Sequence, residues 1–188
     1  MRAFNGCSLK QGSQSDKPPR VLVILISVLV LGLAVSCSAP SSASEPAVTA
    51  SPLEGAAAYL ARGDGYAGNR DYERAIADYD EALRLQPDWA EAYNNRGYAY
   101  YCKGEATSAI ADYNRAIELR PDYAYAYNNR GAAYMASGDS ARAVLDFDRA
   151  IQLKSDLSQA YTNRGNAHLR LGQLGQALAD FRQAGARP

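Results

Sequence analysis

Between residues 72 and 85 the apolar side chains Tyr72, Ala75, Ile76, Tyr79, Ala82 and Leu83 return at steps of three and four, with polar residues between them. That spacing draws one stripe along an α-helix, whereas a strand would alternate. The pattern comes back every 34 residues. Gly63, Gly97, Gly131 and Gly165 form one file, and Ala75, Ala109, Ala143 and Ala177 a second. Tyr79, Tyr113, Phe147 and Phe181 form a third, and Ala82, Ala116, Ala150 and Ala184 a fourth. A fixed period of this length predicts an all-α fold, an α-solenoid of about four stacked helix-turn-helix units that bury their apolar faces on one another. Small residues recur where helix axes must approach, since larger side chains would wedge them apart.

Local signals place the helix ends. Ser51-Pro52-Leu53-Glu54 reads as an N-cap, a proline at the first helical position and a reciprocal acidic cap. Asp88-x-x-Glu91 and Asp156-x-x-Gln159 predict similar starts. Asp71, Glu105 and Asp139 fall where second helices begin, at the positive end of the helix dipole. Pro87 and Pro121 stop second helices. Gly104, Gly138 and Gly172 supply a left-handed turn residue, whereas the first unit has Arg70 and is expected to turn differently.

These residues resemble the tetratricopeptide repeat. With Gly97 at that family's eighth place, the second unit carries Tyr93, Asn95, Gly97, Tyr100, Ala109, Tyr113, Ala116 and Pro121. The third matches with Tyr127, Asn129, Gly131, Tyr134, Ala143, Phe147 and Ala150, and the fourth with Tyr161, Asn163, Gly165, Ala177, Phe181 and Ala184. The first fits at Tyr59, Gly63, Tyr66, Ala75, Tyr79, Ala82 and Pro87 but has Ala61 in place of Asn. The repeats so defined run 56–89, 90–123, 124–157 and 158–188 within a domain spanning 51–188.

The resemblance implies a concave groove lined by first-helix residues. In the second unit these are Glu91, Asn94, Asn95, Tyr98 and Tyr101. In the third they are Tyr125, Asn128, Asn129, Ala132 and Met135, and in the fourth Gln159, Thr162, Asn163, Asn166 and Leu169. Asn95, Asn129 and Asn163, with Asn94, Asn128, Asn166, Tyr98, Tyr101 and Tyr125, are the candidate partner-binding residues. An amide both donates and accepts, so a file of Asn can pair with the backbone of an extended peptide. Asn at this place also serves helix packing, and both roles stay open. Chaperone-binding relatives clamp a C-terminal carboxylate with Lys, Arg and Asn. Here Leu60, Asp64, Tyr125 and Asn129 occupy the other clamp places and only Asn95 fits.

A second recurring pair is charged. Arg62, Arg96, Arg130 and Arg164 each precede the repeat glycine, where the family usually has Leu. Asp78, Asp112, Asp146 and Asp180 follow sixteen residues later. A cation in a semi-buried place needs a carboxylate, which predicts an ion-pair ladder. The alternative is Arg reaching water along its aliphatic stem, with Asp solvated.

The first fifty residues differ in kind. Arg2, Lys10, Lys17 and Arg20 precede the uncharged run Val21–Ser36, followed by Cys37. As a helix that run reaches roughly 24 Å, short of a ~30 Å hydrocarbon core. Residues 1–37 therefore read as a secretory signal. Leu33-Ala34-Val35-Ser36-Cys37 resembles a bacterial lipobox, which implies lipidation of Cys37; the rival is an uncleaved signal anchor. Either keeps the basic end in the cytoplasm and sends the repeats across the membrane. Residues 38–50, rich in Ser, Ala and Pro, read as a flexible tether.

Charge then narrows the partners. Twenty Lys and Arg balance twenty Asp and Glu, so the chain lacks the single-sign footprint of a nucleic-acid binder. Of three cysteines only Cys102 lies in the repeats, which excludes an internal disulfide framework there. The single histidine, His168, takes the slot of Tyr66, Tyr100 and Tyr134 and reads as a packed ring. No metal-ligand spacing, phosphate loop or cofactor motif occurs. An enzyme is not expected, nor a cofactor or metal. The expected function is a membrane-tethered protein- or peptide-binding adaptor outside the cytoplasm. The alternatives are a structural subunit of an envelope, secretion or pilus complex and, last, an envelope enzyme. Leu174, Leu178 and Phe181 on the last helix mark an end open to a second copy or a partner.

Overall fold

The computed structural model describes residues 52–185, and every element among them is an α-helix. In chain order they are α1 (Pro52–Gly68), α2 (Tyr72–Leu85), α3 (Ala90–Cys102), α4 (Ala106–Leu119), α5 (Ala124–Ala136), α6 (Ser140–Leu153), α7 (Ser158–Arg170) and α8 (Leu174–Gly185). The expected signal or anchor, Cys37, the tether and the Ser51 cap lie outside the described residues. Among the described residues no helix is long and apolar enough to cross a membrane.

Each first helix packs on the second helix of its own unit, and each of α2, α4 and α6 packs on the first helix that follows. The first helices α1, α3, α5 and α7 also touch in succession, whereas among the described residues the second helices do not. The stack therefore curves with its first helices on the inside. Within each pair the glycine file meets the aromatic file. A Cβ added at Gly63 would lie 2.7 Å from the Tyr79 ring, and one at Gly131 would lie 2.6 Å from Phe147. Only hydrogen on that Cα lets the two helices close.

The turns are alike in all four units, including the first. The amides of Asp71, Glu105, Asp139 and Gln173 each donate 2.9 Å to the carbonyl five residues back, at Tyr66, Tyr100, Tyr134 and His168. The residue before each has a positive φ: 86° at Gly104, 89° at Gly138, 74° at Gly172 and 61° at Arg70. The expected distortion at Arg70 is absent. The bond from the Asp71 amide is made all the same, with a side chain held where glycine rests more easily.

The caps depart from the sequence expectation in two ways. Asp71 and Asp139 accept from the backbone amides of Arg74 and Arg142, but Glu105, one methylene longer, makes no cap bond. Its carboxylate takes Lys103 Nζ at 3.0 Å instead. Asp88 and Asp156 do not cap α3 and α7, whose caps are Trp89 and Leu157. Those apolar residues, with Tyr123 before α5, plug into the core between units. Burial of a large side chain replaces a polar cap there. The same contact explains why α6 ends at Leu153 with Ser155 where α2 and α4 are followed by proline: Leu157 packs with Ala150 and Ala160 and forces the turn.

Candidate partner-binding surface

The Arg file sits at the joints. Arg96 Nε and Nη2 donate to Asp112 at 2.8 and 2.7 Å, and Arg62, Arg130 and Arg164 grip Asp78, Asp146 and Asp180 in the same two-pronged way. Three of them also reach back to the preceding unit: Arg96 to Asp80 at 2.6 Å, Arg130 to Asn114 at 2.7 Å and Arg164 to Asp148 at 2.5 Å. Each stacks over the tyrosine three residues earlier, as Arg96 does over Tyr93 at 5.4 Å. Among the described residues no unit precedes that of Arg62, and its side chain is 59% exposed against 20% for Arg96. Burial pushes the Asp112 carboxyl up while the Arg96 hydrogen bonds pull it down, and burial prevails. The backward acceptors Asp80, Asn114 and Asp148 are themselves a 34-residue file sixteen positions before each Arg, a signal present in the sequence but not singled out there.

The Asn file forms an internal chain of hydrogen bonds. Asn163 donates to Asn128 at 3.0 Å, Asn128 to Asn129 at 3.3 Å, Asn129 to Asn94 at 3.0 Å and Asn94 to Asn95 at 3.1 Å. Asn95 then donates to the Asp64 carboxylate at 3.0 Å, which also accepts from the Tyr79 hydroxyl at 2.7 Å. Gln159 opens the chain by donating to Asn163 at 2.9 Å. Asp64 thus ends the run in the one unit that lacks the Asn, a role the sequence did not suggest. Asn94, Asn95, Asn128 and Asn129 are buried. Of the two roles open to these Asn, the hydrogen bonds carry helix packing: the amides bind one another and join the first helices. Asn163 is half-buried and Asn166 exposed.

The remaining candidates divide by exposure. Tyr98 is buried with Ala132, whereas Tyr101, Tyr125 and Met135 are half-buried and Leu169 is exposed. Arg170 donates to the Met135 carbonyl at 2.7 Å, and Lys154 lies 5.5 Å over the Tyr125 ring. Burial pushes the Tyr98 and Tyr101 hydroxyls above their ordinary range, so both stay neutral donors. Burial, with the neighbouring Asp64 charge, also pushes the Glu91 carboxyl up, against the pull of Arg120. The inner face thus combines aromatic area with few fixed charges. Cys102 is half-buried beside Tyr98 and Ala132. His168 is buried, its Nδ1 2.6 Å from Gln173 Oε1. Among the described residues no group of three potential metal ligands occurs.

Four helix pairs, a repeated glycine–aromatic contact and a curved inner face of first helices define a helical-repeat solenoid. Family models described as TPR repeat match residues 58–104 and 97–138, and models described as tetratricopeptide repeat match 124–157 and 158–184. The chain belongs to the tetratricopeptide repeat family. Among solved structures it is similar to the crystal structure of MamA, at 28% identity and a TM-score of 0.65, covering 70% of this chain and 77% of that one. It is also similar to the first TPR of Spaghetti (RPAP3) bound to the HSP90 peptide SRMEEVD, at 26% identity, a TM-score of 0.62, and 64% and 95% coverage. The second TPR domain of human RPAP3, in complex with the HSP70 peptide SGPTIEEVD, gives 29% identity, 0.60, and 62% and 97%. A search of curated proteins gives no match.

Proposed function

We propose that this chain is a non-enzymatic adaptor whose inner face binds segments of other proteins, and that its N-terminal segment tethers it to a membrane with the repeats outside the cytoplasm. The observation that carries the binding role is the inner face itself: Tyr101, Tyr125, Met135 and Leu169 remain accessible while the Asn chain beneath them holds the first helices in place. Rigid aromatic area with a polar tip suits recognition of an extended segment. The peptide complexes of the RPAP3 domains support a peptide as the class of partner. Both of those peptides end in an acidic residue, and this chain has Leu60 and Asp64 where a carboxylate clamp needs Lys and Asn. Internal segments with apolar side chains therefore fit better than free C-termini. Tethering rests on the lipobox-like run ending at Cys37.

The test is in-cell crosslinking and affinity capture with Tyr101, Tyr125 and Met135 all replaced by Ala, beside the unaltered protein. Loss of the captured partners with helicity and melting retained supports the binding role; the same partners on both proteins overturn it. Fatty-acid labelling that disappears in Cys37→Ala supports the tether, and an unlabelled, fully released protein overturns it.

A further inference from the structure

Each internal joint of the stack is built to one formula. Ile76 and Leu83 of α2 cluster with Ala92 and Ala99 of α3, and Arg96, between those two alanines, reaches Asp80, between the two apolar residues. Ile117 of α4 packs with Ala126 of α5 and Ile110 with Ala133, around Arg130 and Asn114. Val144 and Ile151 of α6 pack with Ala167 and Ala160 of α7, around Arg164 and Asp148. The incoming helix always reads Ala-x-x-x-Arg-x-x-Ala, and the receiving helix offers an acceptor.

The face of α8 keeps one of the two apolar places of this formula and reverses the polar part: Gly185 falls where Leu83, Ile117 and Ile151 stand. Leu178 stands where Ile76, Ile110 and Val144 stand, yet it is 52% exposed against 9% for Ile76, and Leu174 beside it is 68% exposed. Arg182 occupies the place of Asp80, Asn114 and Asp148. A second copy stacking its α1 there in the same register would bring Gly65 to Leu178 and Ala58 to Gly185 but set Arg62 against Arg182. Like charges at a half-desolvated joint disfavour that union. A head-to-tail chain of copies is therefore disfavoured at Arg182.

We infer that the α8 face docks an amphipathic helix of another protein, with a carboxylate to meet Arg182 and, three residues later, a small residue to pack on Leu178. This surface is separate from the inner face and does not depend on it. Two stapled helical peptides with the α7 sequence 158–170 test it, one with Arg164→Glu and one unaltered, titrated against the full chain and its R182D variant. The expected result is that the full chain binds the Glu peptide about tenfold more tightly than the Arg peptide, and that R182D inverts the order. A variant with Tyr101 and Tyr125 replaced by Ala should bind the Glu peptide unchanged, which separates this outcome from failure of the inner face. Equal binding of both peptides, binding of neither, or a wild-type dimer that Leu178→Glu dissociates would overturn the inference.

Discussion

Arg96 lies between carboxylates of two different units, bidentate on the buried Asp112 and single-pronged on the exposed Asp80. The two contacts differ in what their loss leaves behind. Asp112→Ala strands a largely buried guanidinium and is expected to cost on the order of 2–4 kcal/mol. Asp80→Ala removes a solvent-facing partner, and its cost should stay below about 1 kcal/mol. Urea unfolding of both variants checks this, and equal losses would show that the pair within the unit is not the stronger.

Tyr79 and Tyr113 are equivalent by repeat but opposite in bonding. Tyr79 donates to Asp64, whereas the fully buried Tyr113 hydroxyl has no hydrogen-bond partner among the described residues. The third and fourth units have Phe147 and Phe181 at that place. Tyr113→Phe should therefore stabilise the domain by about 1 kcal/mol, and Tyr79→Phe should destabilise it by a similar amount. Calorimetric melting of the two variants reads the difference directly as Tm shifts of opposite sign.

The contrast also marks what the sequence can carry. The glycine and aromatic files were legible because every unit repeats them, and the sixteen-residue step from Arg to Asp coincides with the bidentate pairs. Asp64 was not legible as the end of the Asn chain, since it lies at a different place in its unit from the Asn it substitutes. The helix starts were misplaced by one residue at Asp88 and Asp156 because a buried Trp89 or Leu157 anchors the chain more strongly than a carboxylate cap. Nor could spacing tell a free Asn from one bound to its neighbour, as both occupy the inner side of a helix.

Asp64 carries a pH signature. Burial pushes its carboxyl above the ordinary value, against the pull of hydrogen bonds from Tyr79 and Asn95. A folded-state pKa above the unfolded one means that the native protein binds the proton more tightly. The resulting stability is present below the ordinary carboxylate range and is lost as pH rises through the raised value. Both donors use the same oxygen, Oδ1, so Asp64→Asn can keep both bonds while removing the charge. It also removes one of the causes that raise Glu91. The variant should melt higher at pH 7, on the order of 2 °C, and show a flatter dependence of Tm on pH between about 4 and 6. A lower Tm at pH 7 would mean that the ionised carboxylate is needed by the Asn chain.

Asn129 and Tyr125 separate structure from recognition on one helix. Asn129 is buried, accepting from Asn128 and donating to Asn94, so it ties α5 to α3. Asn129→Ala leaves a buried donor and a buried acceptor without their partner and should cost on the order of 1–3 kcal/mol. Tyr125 is half-buried at the rim, stacked edge-on to Tyr123 at 6.5 Å and under Lys154. Tyr125→Ala should lower stability less than Asn129→Ala, yet weaken partner capture more at a temperature where both are folded. Chemical unfolding and capture measured on the same preparations decide it. If Asn129→Ala leaves melting unchanged and abolishes capture, the amides turn outward to the partner and the internal chain is dispensable.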